Sequence, residues 1–387
     1  MQSPLQRFFT SATHGYWILF VGLDCVALVL FLCSCSSIPP AQRVTPLGEK
    51  GALPPRFSIV FIIHGDGGYL YHDVRGHPYR ADEETLAKAI TVAQQNPQAE
   101  VFIFHERHRR HFLLFFPRRD GKFYYYRQGR LVAEESYWRD QGQSRFDPEV
   151  ELYHRFRAEE RPGLTRLFLY FGHEIPEFGG AGYDASYSKR TFTVDDLADG
   201  LKRITGDSTK FDLVVLSTCF NGTPHTIAEL APYGRYIIAS PDNLHLSYFD
   251  LDPFEQLDVG LPDGDVSAFA KTFAGHAFDR LTEDKQTAVT VAVYDVDRVQ
   301  GFLHSVDSVY DQALTTLKGQ TPASIEHFDC AEDSAYILPG MSGGVDVFYR
   351  PPRFGRWKHK QSHSGWECWR RKEQHTVASQ PLEPIQK

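Results

Sequence analysis

The sequence has no long run of basic residues, and this absence limits the partners that we expect for the protein. Its 387 residues carry 41 Lys and Arg against 49 Asp and Glu, which gives a formal net charge of -8. The basic clusters, such as Arg107–Arg110 and Arg370–Lys372, are short and typical of solvated surface. Because a nucleic-acid-binding chain needs an extended basic face, we expect no nucleic acid among the main partners.

Cysteine is also scarce, with six in the chain: Cys25, Cys33, Cys35, Cys219, Cys330 and Cys368. The first three lie in an apolar leader, so three remain in the body of the protein. Export favours pairing of cysteines, and Cys330 with Cys368 is one possible disulfide, although connectivity does not follow from sequence. Cys219 would then be an odd thiol, which in an exported protein indicates a reactive group.

The first 35 residues predict a targeting segment. Tyr16–Ser34 is mostly apolar and is preceded by Arg7 and by no acidic residue, the layout of a secretory signal. Its end, Leu-Cys-Ser-Cys, resembles a bacterial lipobox, which implies lipidation of Cys35, and Ser36 then favours the outer membrane. We expect a membrane-anchored lipoprotein of the bacterial cell envelope, periplasmic or on the outer membrane. Asp24 interrupts the apolar stretch, and the alternative is an uncleaved signal anchor, which this length can just provide.

Composition divides the rest of the chain into regions. A proline-rich linker is expected at 36–56, and a catalytic α/β domain at 57–250. Weaker patterns predict a continuation of the same domain at 251–352, followed by a basic, partly disordered tail at 353–387. We find no internal repeat in the sequence.

Short apolar runs that end in turn residues predict a parallel sheet. Five such runs are rich in β-branched and aromatic residues and alternate with helical patterns: Ser58–Ile63, Glu100–Phe104, Leu164–Phe171, Leu213–Leu216 and Arg235–Ala239. Residues 111–137 instead predict antiparallel strands joined by tight turns. The first helix is expected at Asp82–Gln94 with Asp82 as its cap, and a later one at Val194–Ile204 with Thr193 as cap. The fold class is α/β, a mainly parallel sheet flanked by helices on both faces.

Two of these strands end in residues that can carry chemistry. His173 follows the third run and Cys219 the fourth, and ligands bind at the carboxyl edge of an open α/β sheet. A cysteine nucleophile needs a base or a lowered pKa. We expect Cys219 to be the nucleophile and His173 its base, with backbone N–H groups of Gly172 and Cys219 as the oxyanion region. A helix beginning near Thr223 would favour the thiolate further.

The order of these blocks resembles the clostripain family within the caspase-like cysteine peptidases, a group that also holds legumains and gingipains. FDLVVLSTCFNG is similar to the family's cysteine block, and RYIIASPD to its next strand. VFIIHGDGG resembles its first strand, and SGGVDVFYRPP its late glycine-rich strand. The resemblance runs from Phe57 to Pro352. It implies a caspase/hemoglobinase-like three-layer sandwich and a hydrolase that acts on protein or peptide substrates through Cys219 and His173.

Several positions depart from the pattern of that family. Glu174 stands where the family has glycine, and Ser217 where it has an aspartate that helps to bind basic side chains. Asp242 is then a candidate for the missing charge in the substrate pocket. Relatives mature by cleavage after a basic residue in the loop between histidine and cysteine, which makes Lys189 and Arg190 candidate self-processing sites.

Three alternatives remain open from the sequence. His64, followed by glycine, competes with His173 as the base. Ser342 lies in a G-x-S-x-G sequence typical of serine hydrolases, although the following residues predict a strand where that motif needs a helix. Because Glu174 and Ser217 depart from the family, a catalytically inactive scaffold is the third alternative.

A metal site is not expected from the residues. The resemblance makes calcium possible, since some relatives use it. Asp66 in the glycine-rich turn after the first strand is one carboxylate, whereas calcium takes six to eight oxygen ligands.

Overall fold

The computed structural model describes most of the chain after the leader, in these ranges: 54–65, 71–72, 78–109, 111–112, 116–139, 146–159, 161–179, 183–206, 209–244, 248–262, 264–317, 325–334 and 340–371. The predicted leader with Cys35, and also Asp66, lie outside the described residues. Within the described ranges, no helix has both the length and the apolar character needed to span a membrane.

A nine-stranded mixed sheet forms the centre of the protein. The longer strands, in chain order, are β1 (Phe57–Gly65), β2 (Ala99–Arg107), β3 (Gly121–Arg127), β4 (Arg130–Tyr137), β5 (Thr165–Phe171), β6 (Phe211–Ser217), β7 (Gly234–Ala239), β8 (Val289–Asp295), β9 (Ile325–Asp329), β10 (Val345–Arg350) and β11 (Glu367–Arg371). Strands β9 and β11 form a separate hairpin, and the other nine form the central sheet. The order across the sheet is β10-β8-β7-β6-β5-β1-β2-β3-β4.

The middle of this sheet is parallel, as predicted. Strands β2, β1, β5, β6 and β7 run in one direction. The outer strands are antiparallel to their inner neighbours, with β8 and β10 on one side and β3 and β4 on the other. All nine residues of β1 are buried, which explains why its sequence is a continuous apolar run without alternation. The antiparallel strands expected at 111–137 are β3 and β4, together with the short pair His111–Phe112 and Phe116–Pro117. A further short pair joins Tyr71–His72 to Pro78–Tyr79.

Helices cover both faces of the sheet, which gives the predicted three layers. They are α1 (Ala81–Gln95), α2 (Asp147–Phe156), α3 (Val194–Thr205), α4 (Pro224–Leu230), α5 (Leu257–Gly260), α6 (Val266–Asp284) and α7 (Val296–Leu317). One core packs α1 and α6 against the odd-numbered residues of β6, such as Leu213 and Val215. The other packs α3, α4 and α7 against the even-numbered Val214 and Leu216. We call these the α6 face and the α7 face.

The helix caps agree with the sequence in part. Thr193 caps α3 in a capping box with Asp196, as predicted, and the Thr223 hydroxyl accepts from Thr226 N–H at 3.0 Å at the start of α4. The expected cap of α1 is wrong, since the helix begins at Ala81 after Arg80 and has no side-chain cap. Asp82 instead contacts Nε2 of buried His105 at 2.9 Å, so its carboxylate is used between helix and sheet.

The C-terminal segment adds a small hairpin of its own. Strands β9 and β11 pair antiparallel, and Cys330 at the end of β9 forms a disulfide with Cys368 in β11. Cys219 is the free cysteine of the described residues. The region predicted as a tail from residue 353 is folded as far as Arg371, and Trp366 is fully buried against Tyr294 and Phe302.

Candidate active site

Cys219 and His173 follow adjacent parallel strands at matching positions. Ser217, the last residue of β6, pairs with Phe171, the last residue of β5. Both candidate residues therefore lie two positions beyond the same rung of the sheet. Residues 172–173 and 218–219 are bends just beyond the two strands, and the Cys219 side chain packs against the core of the α6 face. The structure thus brings the predicted pair to one edge of the sheet.

The loop after Cys219 has a constrained backbone. Phe220 has φ of 51°, in the left-handed region that residues other than glycine rarely adopt. Its N–H donates to Asp242 O at 3.3 Å, and its ring stacks on His327 at 4.1 Å between centroids. At Gly222, a Cβ would lie 2.6 Å from the Tyr294 hydroxyl and 2.7 Å from Pro241 N. The turn is therefore fixed by close packing, a common feature of functional sites.

Asn221 joins the cysteine loop to the histidine loop. Its Oδ1 accepts from Ile175 N–H, and its Nδ2 donates to Ile175 O, both at 2.9 Å. The side chain is 1% exposed, so these bonds are shielded from water. From the sequence, Asn221-Gly222 was interpretable only as a turn; the close juxtaposition of two distant loops gives the asparagine this additional role.

Glu177 fixes the other end of the histidine loop. It accepts hydrogen bonds from the hydroxyls of Thr223 and Thr226 at the start of α4. Trp369 Nε1 in β11 donates to its second oxygen at 2.7 Å. The loop that carries His173 is therefore held by α4 and by the C-terminal hairpin.

The thiol of Cys219 is half-buried and has a polar neighbour that the sequence did not indicate. It donates to Asn243 Oδ1 at 3.3 Å. Asn243 follows β7, the strand next to β6 on the side away from His173. The nucleophile candidate thus lies between an amide on one side and a histidine loop on the other. Only the order of strands could have suggested Asn243.

His173 is uncharged at neutral pH. Burial, and secondarily the nearby His64, lower the pKa of His173 from 6.5 to about 4. The imidazole is consequently neutral at pH 7, the form that a general base requires.

Glu174, the departure next to His173, is a weak acid here. Burial, and secondarily Glu177, raise the pKa of Glu174 from 4.5 to about 8. At pH 7 the carboxyl is therefore mostly protonated. Glu174 thus adds bulk next to the base without adding a full negative charge.

The predicted pocket residues are engaged within the protein. Ser217 is fully buried, and its hydroxyl accepts from Phe249 N–H at 2.7 Å. The carboxylate of Asp242 accepts from the Thr290 hydroxyl. Gly172, predicted for the oxyanion region, directs its N–H to Ser217 O at 3.4 Å. A substrate would reach Ser217 only if the segment at Phe249 moved.

The candidate processing site lies in a loop tied to the protein body. Lys189 is exposed, whereas Arg190 is half-buried and donates to Arg139 O at 2.7 Å. The guanidinium of Arg190 also lies over the Tyr187 ring, and the Tyr187 hydroxyl donates to Asp120. Of the two basic residues, Lys189 is the more accessible.

His64, the competing base, has a different environment. Its side chain lies on the α7 face with Val60 and Ile62, and it is 2% exposed. Its Nε2 lies 3.2 Å from Asp184 Oδ2, and Arg139 Nη2 contacts the same oxygen. These residues border a cavity of about 30 Å³, room for about one water molecule. The histidine is therefore part of a buried ion network on the face opposite Cys219.

Ser342 is exposed but far from this edge. It precedes β10, which runs parallel to β6 because β8 between β7 and β10 is antiparallel to both. The start of β10 thus lies at the sheet edge opposite the one carrying Cys219. The following element is a strand, as predicted, so the helix required by a serine nucleophile turn does not follow.

The described residues do not assemble a set of ligands suited to calcium. Three groupings could hold a metal, and each offers two carboxylates and one histidine: Asp195, His225 and Glu229; Asp250, Asp252 and His276; and Asp242, His363 and Glu367. Calcium takes six to eight oxygens. These groupings fit it poorly, and calcium use stays a prediction from the resemblance.

The fold has counterparts among solved structures. An inactive zymogen C11 protease from Parabacteroides distasonis aligns with 83% of this chain and 93% of its own, at 13% identity and a TM-score of 0.54. A secreted C11 cysteine protease from Bacteroides thetaiotaomicron, "iotapain", aligns with 67% of this chain and 72% of its own, at 10% identity and a TM-score of 0.46. No curated protein matches the chain significantly. The first alignment shows that the fold is that of the caspase-like C11 proteases, as predicted.

The family follows from a sequence comparison. The model of the clostripain family matches residues 173–365, a range that begins at His173 and includes Cys219. Over this range the chain matches the clostripain family of cysteine peptidases, which confirms the predicted resemblance and the predicted class of enzyme.

Proposed function

We propose that the protein is an exported cysteine endopeptidase in which the thiolate of Cys219 attacks the peptide carbonyl and His173 transfers the protons. The observation that carries this proposal is the register of β5 and β6, which sets both residues two positions beyond the Phe171–Ser217 pair. The half-buried thiol and the neutral imidazole add support.

In the acylation step, neutral His173 takes the proton from the Cys219 thiol. The thiolate then bonds to the carbonyl carbon of the substrate, and the carbonyl oxygen becomes an oxyanion. Collapse of this intermediate breaks the carbon–nitrogen bond, while protonated His173 gives its proton to the departing amine. An acyl thioester at Cys219 remains.

In the deacylation step, His173 takes a proton from a water molecule, which attacks the thioester carbon. The carbon–sulfur bond breaks, the acid product leaves, and the thiol recovers its proton from His173. Because burial lowers the pKa of His173 to about 4, the imidazole returns to its neutral form readily.

For the oxyanion, we propose the backbone N–H of Cys219 as one donor. The loop at Phe220 and Gly222 is rigid, so this N–H is held in place before the reaction, as electrostatic stabilisation requires. Gly172 takes part only if its bond to Ser217 O opens on substrate binding.

For specificity, we propose a preference broader than Lys and Arg at the cleaved bond. Ser217 is neutral and lies under Phe249, and the carboxylate of Asp242 is bonded to Thr290. Basic selectivity would thus depend on Asp242 turning towards the substrate.

For maturation and location, we propose self-cleavage at Lys189, with Arg190 as the less accessible neighbour, and anchoring of the mature chain in the cell envelope through lipidated Cys35. Mass spectrometry of the purified protein tests both. It should find a break after Lys189 that is absent from Cys219→Ala, and an acylated N-terminal peptide that is absent from Cys35→Ala. An intact wild-type chain would contradict self-cleavage, and an unmodified Cys35 would contradict lipidation.

A peptide-library cleavage screen tests the enzymatic proposal. Wild type should cut a set of peptides at internal bonds, and Cys219→Ala should cut none; the pattern of cleaved bonds then reports specificity. Labelling by a peptidyl acyloxymethyl ketone should modify Cys219. Equal cleavage by Cys219→Ala, or labelling of Ser342 by a fluorophosphonate, would overturn it. Absence of any cleavage by folded, processed protein would favour the inactive scaffold.

A further inference from the structure

The carboxyl edge of the sheet carries a largely buried cluster that takes no part in the proton and acyl transfers of the proposed reaction. It consists of Asp242 after β7, His363, and Glu367 at the start of β11. One ligand atom from each lies within 4.8 Å of the other two. The side chains of His363 and Glu367 are only 4% and 3% exposed. We propose that this cluster binds a divalent transition-metal ion of the zinc type.

The charge of the cluster calls for a cation. Asp242 and Glu367 bring two carboxylates into a largely buried space. Lys360 forms ion pairs with Asp329 at 2.8 Å and with Glu332 at 2.7 Å. Buried carboxylates are ordinarily paired with a cation or bound to a metal.

The donor atoms select the kind of metal. One imidazole nitrogen and two carboxylate oxygens, with room for a fourth ligand, match zinc and its neighbours. His363 Nε2 lies 3.9 Å from Glu367 Oε2, too far for a hydrogen bond. Ligands about 2 Å from one zinc ion lie roughly 3–4 Å apart. A second imidazole, His327, has its Nδ1 3.8 Å from the other oxygen of Glu367.

The surroundings of the ligands orient them. Thr290 donates to Asp242, the type of second contact that fixes a ligating carboxylate. Gly365 N–H donates to His363 Nδ1 at 3.0 Å, which leaves Nε2 as the nitrogen facing the carboxylates. When a metal binds Nε2, the ring proton moves to Nδ1. The hydrogen bond from Gly365 N–H to Nδ1 is then lost.

The ligands are connected to the loop of the nucleophile. Asp242 O accepts from Phe220 N–H at 3.3 Å, and Glu367 N–H donates to Gly222 O at 2.9 Å. The backbones of two ligands thus hold the residues that directly follow Cys219. A bound metal would tie the tip of β7 to β11 and stiffen that loop.

Metal binding is measured directly on the full chain carrying Cys219→Ala together with Cys25→Ser, Cys33→Ser and Cys35→Ser, which removes the thiols outside the disulfide as competing ligands. This inference is therefore tested separately from peptidase activity. Equilibrium dialysis against zinc chloride, with metal analysis, should give one tightly bound equivalent. Cobalt(II) in its place should show the intense visible absorption of a four-coordinate ion.

Two variants remove ligands and one serves as a matched control. His363→Ala and the near-isosteric Glu367→Gln should weaken zinc binding at least 100-fold. His225→Ala, in the partly exposed grouping with Asp195 and Glu229, should bind zinc as the parent does. Circular dichroism establishes that each variant is folded. Unchanged binding in folded Glu367→Gln, loss of binding in His225→Ala alone, or calcium binding in preference to zinc would each overturn the proposal.

Discussion

Two histidines lie near neighbouring strand tips of one sheet, and their surroundings differ in every respect that matters for catalysis. His64 is 2% exposed, lies on the α7 face, and contacts the carboxylate of Asp184. His173 is half-buried, lies beyond β5, and has a pKa lowered to about 4 by burial and by His64. Both follow apolar runs, and His64 even has the following glycine that the clostripain pattern contains.

The difference teaches that a histidine is assigned by its strand position and its partners. In β1 the alternation of side chains sends His64 to the face opposite Cys219, where Arg139 and Asp184 complete an ion network. His173 is set two positions beyond the strand that pairs with β6. The two histidines therefore differ in how exposed they are to a substrate, and substitution of each one tests that difference.

The largest effect is expected from the two histidines themselves. His173→Ala should lower kcat/KM by about 1,000-fold, the contribution of a general base, while thermal stability changes little. His64→Ala should lower stability clearly, because Asp184 loses a buried contact, with a much smaller loss of activity per folded molecule. Active-site titration with a peptidyl inhibitor counts the folded sites. The opposite ranking of activities would make His64 the base.

Removal of the cation beside His64 should produce the largest loss of stability. Arg139 is 4% exposed and contacts Glu106 at 3.1 Å and also Asp184. Arg139→Met removes the guanidinium from two buried carboxylates, and should lower the free energy of unfolding by about 3–5 kcal/mol. Urea unfolding measures this value, with exposed Arg155→Met as the control. A loss below that of the control would show that the network is not structural.

A smaller effect is expected at the contact between the catalytic loops. Asn221→Ala leaves Ile175 N–H and Ile175 O without their partner, so stability should fall by about 2 kcal/mol. We expect kcat to fall about 10-fold with KM little changed, because the loops that carry His173 and Cys219 are then held less firmly relative to each other. Asn221→Asp keeps the acceptor for Ile175 N–H and should retain part of both. Wild-type kcat in a folded Asn221→Ala protein would remove Asn221 from the positioning residues.

The smallest effect concerns pH. Because the pKa of Glu174 is raised from 4.5 to about 8, the native protein keeps a proton that the unfolded chain releases between these values. Stability should therefore fall as pH rises from about 4.5 to 8. In Glu174→Gln the difference in unfolding free energy between pH 6 and pH 7 should shrink by about 1 kcal/mol. Urea titrations at both values decide, and an unchanged difference would place Glu174 in contact with solvent.

The central sheet could be predicted because each parallel strand is a continuous apolar run that is buried on both faces. Phe211–Ser217 illustrates this, since its composition and its turn residues gave both the strand and the edge at which Cys219 lies. Helix α3 could be predicted equally well from the sequence, because its cap, Thr193, directly precedes it in the chain. Such features depend on residues that are neighbours in sequence.

The parts that the sequence did not reveal depend on distant contacts. Asp82 looked like a helix cap, yet its partner is His105 on another strand. Ser217 looked like a pocket residue, yet Phe249 covers it. The contact between Cys219 and Asn243 can be predicted only when β6 and β7 are known to be neighbours. The β9–β11 hairpin can be predicted only when Cys330 is known to pair with Cys368, 38 residues later. Local sequence patterns contain no information on contacts between residues that are distant in the chain.

The hydrogen bond from Glu367 N–H to Gly222 O has a consequence for folding during synthesis. The loop of Cys219 receives one of its backbone contacts from Glu367, a residue made much later than the loop itself. A nascent chain that is still attached to the ribosome before residue 367 has emerged lacks this contact, however well its sheet has formed. The ribosome must therefore have passed residue 367 before the loop of Cys219 can have all of its backbone contacts.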